Sequence, residues 1–132
     1  MGRSLLVPVV VPKFIPKIIR DFWREGVIAK AVGKMPAAAL YFRLVIEHHV
    51  RGVTKATGLQ RGEDLLDLYR PMLPQQFTPT EPTLTNEYRQ LSEIVHSGVG
   101  NGAALDSIQG KMLRHFQVLD LFPITVSTPP EA

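Results

Sequence analysis

Along most of the chain, apolar residues recur every three or four positions, the period of a helix with one buried face. Ile15, Ile18, Ile19, Phe22 and Trp23 open the pattern, and Pro16, a residue suited to a helix start, predicts a first helix from about Pro16 toward Val32, ended by Gly33. The next segment, "PAAALYFRLVIEHHVRGVTKATG", starts at Pro36 and is apolar on almost every side from Ala37 to Ile46. Such a helix belongs in the middle of a bundle, and this one is expected to stop near Gly58. A shorter helix is predicted over "GEDLLDLYR", broken by Pro71. The stretch "PMLPQQFTPTEPT" carries four prolines between Pro71 and Pro82 and cannot be a regular helix. A connection this long in a bundle reads as a crossover strap or as a lid over a site. Thr83 or Thr85 is then placed to cap a helix reaching Ser97, with Glu87 near its positive end. A final helix shows the stripe Leu105, Ile108, Met112, Phe116 and Leu119, with Lys111 and Arg114 off it. The pattern predicts an all-α chain, a bundle of four main helices plus a short one.

The two ends depart from this period. Leu5 to Val11 is apolar behind Arg3, but Pro8 and Pro12 interrupt it, and it is far shorter than the ~20 residues a membrane span needs. Residues 1–13 therefore read as an extended arm, 14–122 as the helical domain, and no membrane association is expected. Leu6 stands where an N-myristoylation signal wants Ser or Thr, which argues against acylation of Gly2. Residues 123–132, "PITVSTPPEA" with Phe122 before them, are polar and proline-bearing, as in a tail or a linker to further protein.

Composition narrows the chemistry. The 132 residues, 45% hydrophobic and 20% charged, suit one core burying roughly two-thirds of the surface of the unfolded chain. Cysteine is absent, which excludes disulfides and thiolate metal sites and suits a reducing interior such as the cytoplasm. A net charge of +3 leans toward an anionic partner, but the Lys and Arg residues are scattered, unlike a dedicated DNA-binding arm. "GVGNG" is not a phosphate loop: it follows a helix and lacks a Lys-Ser/Thr continuation, so it reads as a helix end and tight turn with Asn101 as a cap.

Candidate chemistry centres on "NEYRQLSEIVHSG". At about 100° per residue, seven steps bring His96 within about 20° of Arg89, some 10 Å along the axis. Leu84, Tyr88, Leu91 and Val95 fall on the opposite side, so Arg89, Ser92, Glu93 and His96 form a polar stripe turned away from the core. By spacing alone the stripe is either an ordinary solvated face or a site.

The R-x6-H spacing, its surroundings "YRQLSEIVHSG" and the upstream "AAALYFRLVIEHHVR" together resemble the HEPN (higher eukaryotes and prokaryotes nucleotide-binding) superfamily, in particular its uncharacterised prokaryotic branches. The likeness covers roughly residues 16–122. The resemblance implies a helical bundle that dimerises with its motifs facing, Arg89 and His96 as the catalytic pair of a metal-independent RNA cleavage, and Gln90 as the polar residue after the arginine. It further implies a stress, defence or toxin-type setting with RNA, a nucleotide or a protein such as an antitoxin as partner; members without activity serve as binding or regulatory modules.

Those residue types suit the reaction. Attack by a ribose 2′-hydroxyl needs a base, an acid for the leaving oxygen and positive charge beside the phosphate. Histidine changes protonation near neutral pH and arginine presents a planar fork to phosphate. One motif holds a single histidine, and a twofold dimer would supply the second. Ser92 and Glu93 are supporting candidates, Glu93 as an orienter of the His96 ring. Arg43 and Glu47 sit one turn apart in an apolar helix, the spacing of a structural ion pair. His48 and His49 diverge by about 100° and cannot share an ion, so neither a metal nor another cofactor is expected. His115 neighbours Lys111 and Arg114 and reads as part of a solvated basic face, the alternative being contact with RNA phosphates. Tyr41 and Phe42 read as core.

Overall fold

A computed structural model describes residues 9–56, 62–77 and 80–124. Helix α1 spans Arg20–Ala31, α2 Met35–Thr54, α3 Gly62–Tyr69, α4 Thr85–Ser97 and α5 Gly102–Leu121, with no strand among the described residues. The expectations about Gly2, about residues 1–8 of the arm and about residues 125–132 of the tail lie outside these ranges.

Helix α2 is the central element, packing most extensively on α1 and α4 and also touching α3 and α5. Its sequence explains this: Ala38, Ala39, Phe42, Val45, Ile46, His49 and Val50 are all buried, so several of its sides are covered at once. Trp23 of α1 meets Phe42 edge to face, ring centroids 5.2 Å apart, an arrangement worth about 0.5–1.5 kcal/mol beyond the area it buries. The described part of the arm is tied down by Arg20, whose guanidinium donates to the carbonyls of Val11, Pro12 and Ile15 at 3.0–3.2 Å. A short 3-10 turn, Lys17–Ile19, precedes α1.

Three local expectations are corrected. Helix α2 ends earlier than Gly58, at Thr54, after which Lys55 turns left-handed (φ 59°) while its N–H still bonds to the Arg51 carbonyl. Neither Thr83 nor Thr85 caps α4: Leu84 stands at the cap position with φ 78° and no side-chain cap bond. A left-handed leucine is strained, and it is held there because its side chain is fully buried. The buried side of α4 also includes Glu87 and Ile94, whereas Val95 is only half-buried.

The connection between α3 and α4 holds two further 3-10 turns, Arg70–Met72 and Gln75–Phe77. Phe77 is buried, so the strap is plugged into the core. The α4/α5 turn follows its sequence: Gly98 is left-handed (φ 69°), as a glycine tolerates, and the Asn101 side chain caps α5 by accepting from the Ala104 N–H at 2.7 Å. In α5, Leu105, Ile108, Met112 and Phe116 are buried as the stripe predicts.

Candidate nucleic-acid interface

Arg89 and His96 are both exposed on the outward side of α4, while Leu84, Tyr88, Leu91 and Ile94 fill its inward side. The stripe is not uniform. Arg89 leans toward α3, its Nε 3.3 Å from Glu63 Oε1, with both side chains more than half exposed. Gln90 and Glu93 instead border a groove of about 330 Å³ between α4 and the start of α5, together with Ser97, Ser107 and Ile108. Ser92 is half-buried, and no hydrogen bond or ion pair joins Glu93 to His96. The ring of His96 is thus oriented by nothing among the described residues.

Behind the stripe lies a polar joint between α2 and α4. The Tyr88 hydroxyl donates to Glu47 Oε2 at 2.6 Å, and Arg43 Nε lies 3.6 Å from the same oxygen. Burial, and then the carboxylate of Glu47, push the Tyr88 phenol up to about 12. Gly62 matters to this joint, because a β-carbon there would sit 2.0 Å from the Tyr88 hydroxyl oxygen. The missing side chain lets the start of α3 close on Tyr88, and the next residue, Glu63, then reaches Arg89.

The other two histidine positions of interest are not on the surface face at all. His115, expected on a solvated basic side, is fully buried, and the correction carries a network with it. Its Nδ1 lies 2.7 Å from the Pro82 carbonyl oxygen, which only accepts, so Nδ1 carries the proton. Burial lowers the His115 pKa to about 4, against the opposing pull of that carbonyl, so the ring is neutral and its Nε2 is an acceptor. The Tyr69 hydroxyl therefore donates to His115 Nε2 at 2.6 Å and accepts from His49 Nε2–H at 2.9 Å. His49, held neutral by burial and by the repulsion of His115, has its pKa lowered to about 3. Burial raises that of Tyr69. One directed chain of protons thus joins α2, α3, α5 and the strap. His48, about 100° away on α2, is exposed and lies against the Phe22 ring of α1.

The basic face of α5 is correspondingly smaller than expected. Arg114 is held by a bidentate pair with Glu81 of the strap, both bonds 2.8 Å, and this contact keeps the Glu81 carboxyl below its ordinary range. Lys111 remains exposed. No helix among the described residues is long and apolar enough to cross a membrane. Comparison with family models, with curated proteins and with solved structures returns no match.

Proposed function

We propose that the chain is a HEPN-like helical domain that pairs with a second copy of itself in the cytoplasm and acts on RNA as a metal-independent endoribonuclease of a stress, defence or toxin-type system. The observation that carries this reading is the joint exposure of Arg89 and His96 on the side of α4 that the core does not use. Two copies meeting along this face would bring together two imidazoles, one to take the 2′-hydroxyl proton and one to protonate the leaving oxygen, flanked by two guanidiniums for the phosphate. The Tyr88–Glu47–Arg43 joint would hold α4 in place from behind.

A second reading has its own observation. Arg89 is engaged by Glu63, and His96 lacks an orienting partner, which suits a non-catalytic domain that binds RNA, a nucleotide or a protein such as an antitoxin. One experiment separates the two. Purified protein incubated with RNA in EDTA is expected to leave 2′,3′-cyclic phosphate ends while sparing DNA, and to scatter light as a dimer. His96→Ala should slow cleavage about a hundredfold with the helical circular dichroism unchanged. Retained RNA binding without cleavage selects the second reading; a monomer that neither binds nor cleaves RNA removes both nucleic-acid forms.

A further inference from the structure

A cleft of about 630 Å³ opens between the strap, the start of α4 and the middle of α5, and Arg89 is not among the residues that line it. Five charged side chains line it, and three are already matched. Glu81 and Arg114 hold each other through two hydrogen bonds, and Asp106 is ion-paired with Lys30 of α1. Two are left over. Glu87 lines the cleft at only 4% exposure, and its buried Oε1 has no hydrogen-bond partner among the described residues. Lys111 is exposed and in no ion pair among the described residues, and the two do not bridge each other. Buried carboxylate oxygens without a donor are rare because desolvation is not repaid, so Glu87 calls for a donor from outside the fold.

We propose that this cleft binds a small zwitterion of the amino-acid type, its ammonium group donating to Glu87 and its carboxylate facing Lys111. The charge inventory selects the class. A simple amine would satisfy Glu87 but be repelled by Lys111, and a simple acid the reverse. A phosphate ester would call on the fork of Arg114, which Glu81 occupies. Asn86, Thr83 and Ser107 on the walls add neutral hydrogen-bonding groups, so a ligand side chain with an amide or hydroxyl fits better than an apolar one. The cleft shares no residue with the Arg89 and His96 pair, so its occupancy does not depend on the RNA reading.

Calorimetric titration of the full chain with L-glutamine, with its decarboxylated amine and with its deaminated acid tests the assignment. The zwitterion is expected to bind saturably, and each truncated ligand about tenfold or more weaker, since each loses one charge-assisted contact. Glu87→Gln should weaken L-glutamine by a similar factor. So should Lys111→Gln, which changes an exposed residue and leaves the fold intact whatever happens at Glu87. Absence of saturable binding by L-glutamine and by a panel of the other common L-amino acids overturns the proposal. Equal binding of the amine or the acid alone, or undiminished zwitterion binding in Lys111→Gln, overturns it as well.

Discussion

The chain holds histidine in two opposite physical settings. At the His49–Tyr69–His115 chain, burial removes the charge, every donor has an acceptor, and the order of protons is fixed by a single backbone carbonyl at Pro82. On the outer side of α4, His96 is solvated, and none of the described side chains sets the direction of its ring. A histidine of the first kind is a structural part: it cannot readily gain a proton, because the surrounding protein would have to desolvate the new charge. One of the second kind is open to solvent but lacks the positioning that catalysis needs, and under the RNA reading a second copy of the chain has to supply it. Density of hydrogen bonds around a histidine here indicates fold support, and function is better sought where the network stops.

The most direct way to break this contrast is to truncate one histidine of each kind. His115→Ala opens a cavity, leaves the Pro82 carbonyl without its buried donor and leaves the Tyr69 hydroxyl without its acceptor, which together should cost about 3–5 kcal/mol. His96→Ala removes an exposed side chain and should change stability by about 0.5 kcal/mol or less. Urea denaturation of the two variants measures both numbers. Equal losses would erase the distinction drawn between the two settings.

A smaller effect follows from acid. Both buried histidines have folded pKa values far below the ordinary 6.5, so the unfolded chain binds more protons than the folded one at mildly acidic pH. Their contribution is intact above about pH 6.5 and is lost as pH falls toward the folded values. Between about pH 6 and about pH 5, before most carboxylates titrate, stability should drop by about 2 kcal/mol for the pair. Thermal unfolding of the wild type across this range should show the slope. A flat profile would mean that both imidazoles already carry a proton in the folded state, and a slope of half the size that one of them does.

How much of this was legible in the sequence differs by element. The central role of α2 and the stripe of α5 follow from period alone, since an apolar helix has nowhere else to go. The burial of His115 was available too. Next to Lys111 and Arg114 in sequence, it lies about 20° from Ile108 and about 40° from Leu119 around the helix, on the apolar stripe. Angle decides burial, and adjacency misleads. Glu87 repeats the lesson: a carboxylate in the first turn of α4 looks like a partner for the helix dipole, yet its angle lies between those of Leu91 and Ile94 on the buried side. Tyr69 was out of reach, because its partners lie 20 and 46 residues away and no local pattern links them. The pairing of Arg89 with Glu63 depends on Gly62 letting α3 approach Tyr88, a contact that only the packed structure contains.

The smallest expected effect sharpens the exposed half of the contrast. Glu63 and Arg89 form a solvated ion pair, which typically adds about 0.2–1 kcal/mol and weakens with salt, so Glu63→Gln should barely move the unfolding midpoint. Its effect on RNA is predicted to be of opposite sign to that of a structural loss. Removing the carboxylate frees the guanidinium and takes away a repulsive charge beside the phosphate, so affinity for single-stranded RNA at low salt should rise by about twofold to tenfold. Arg89→Ala should lower that affinity and flatten its salt dependence, because one phosphate contact fewer releases fewer counterions. Binding titrations at several salt concentrations distinguish the cases. If Glu63→Gln left RNA affinity unchanged while Arg89→Ala reduced it, Arg89 would meet phosphate from a rotamer that Glu63 does not restrain; if neither variant changed RNA binding, the α4 face would lose its claim to the nucleic acid.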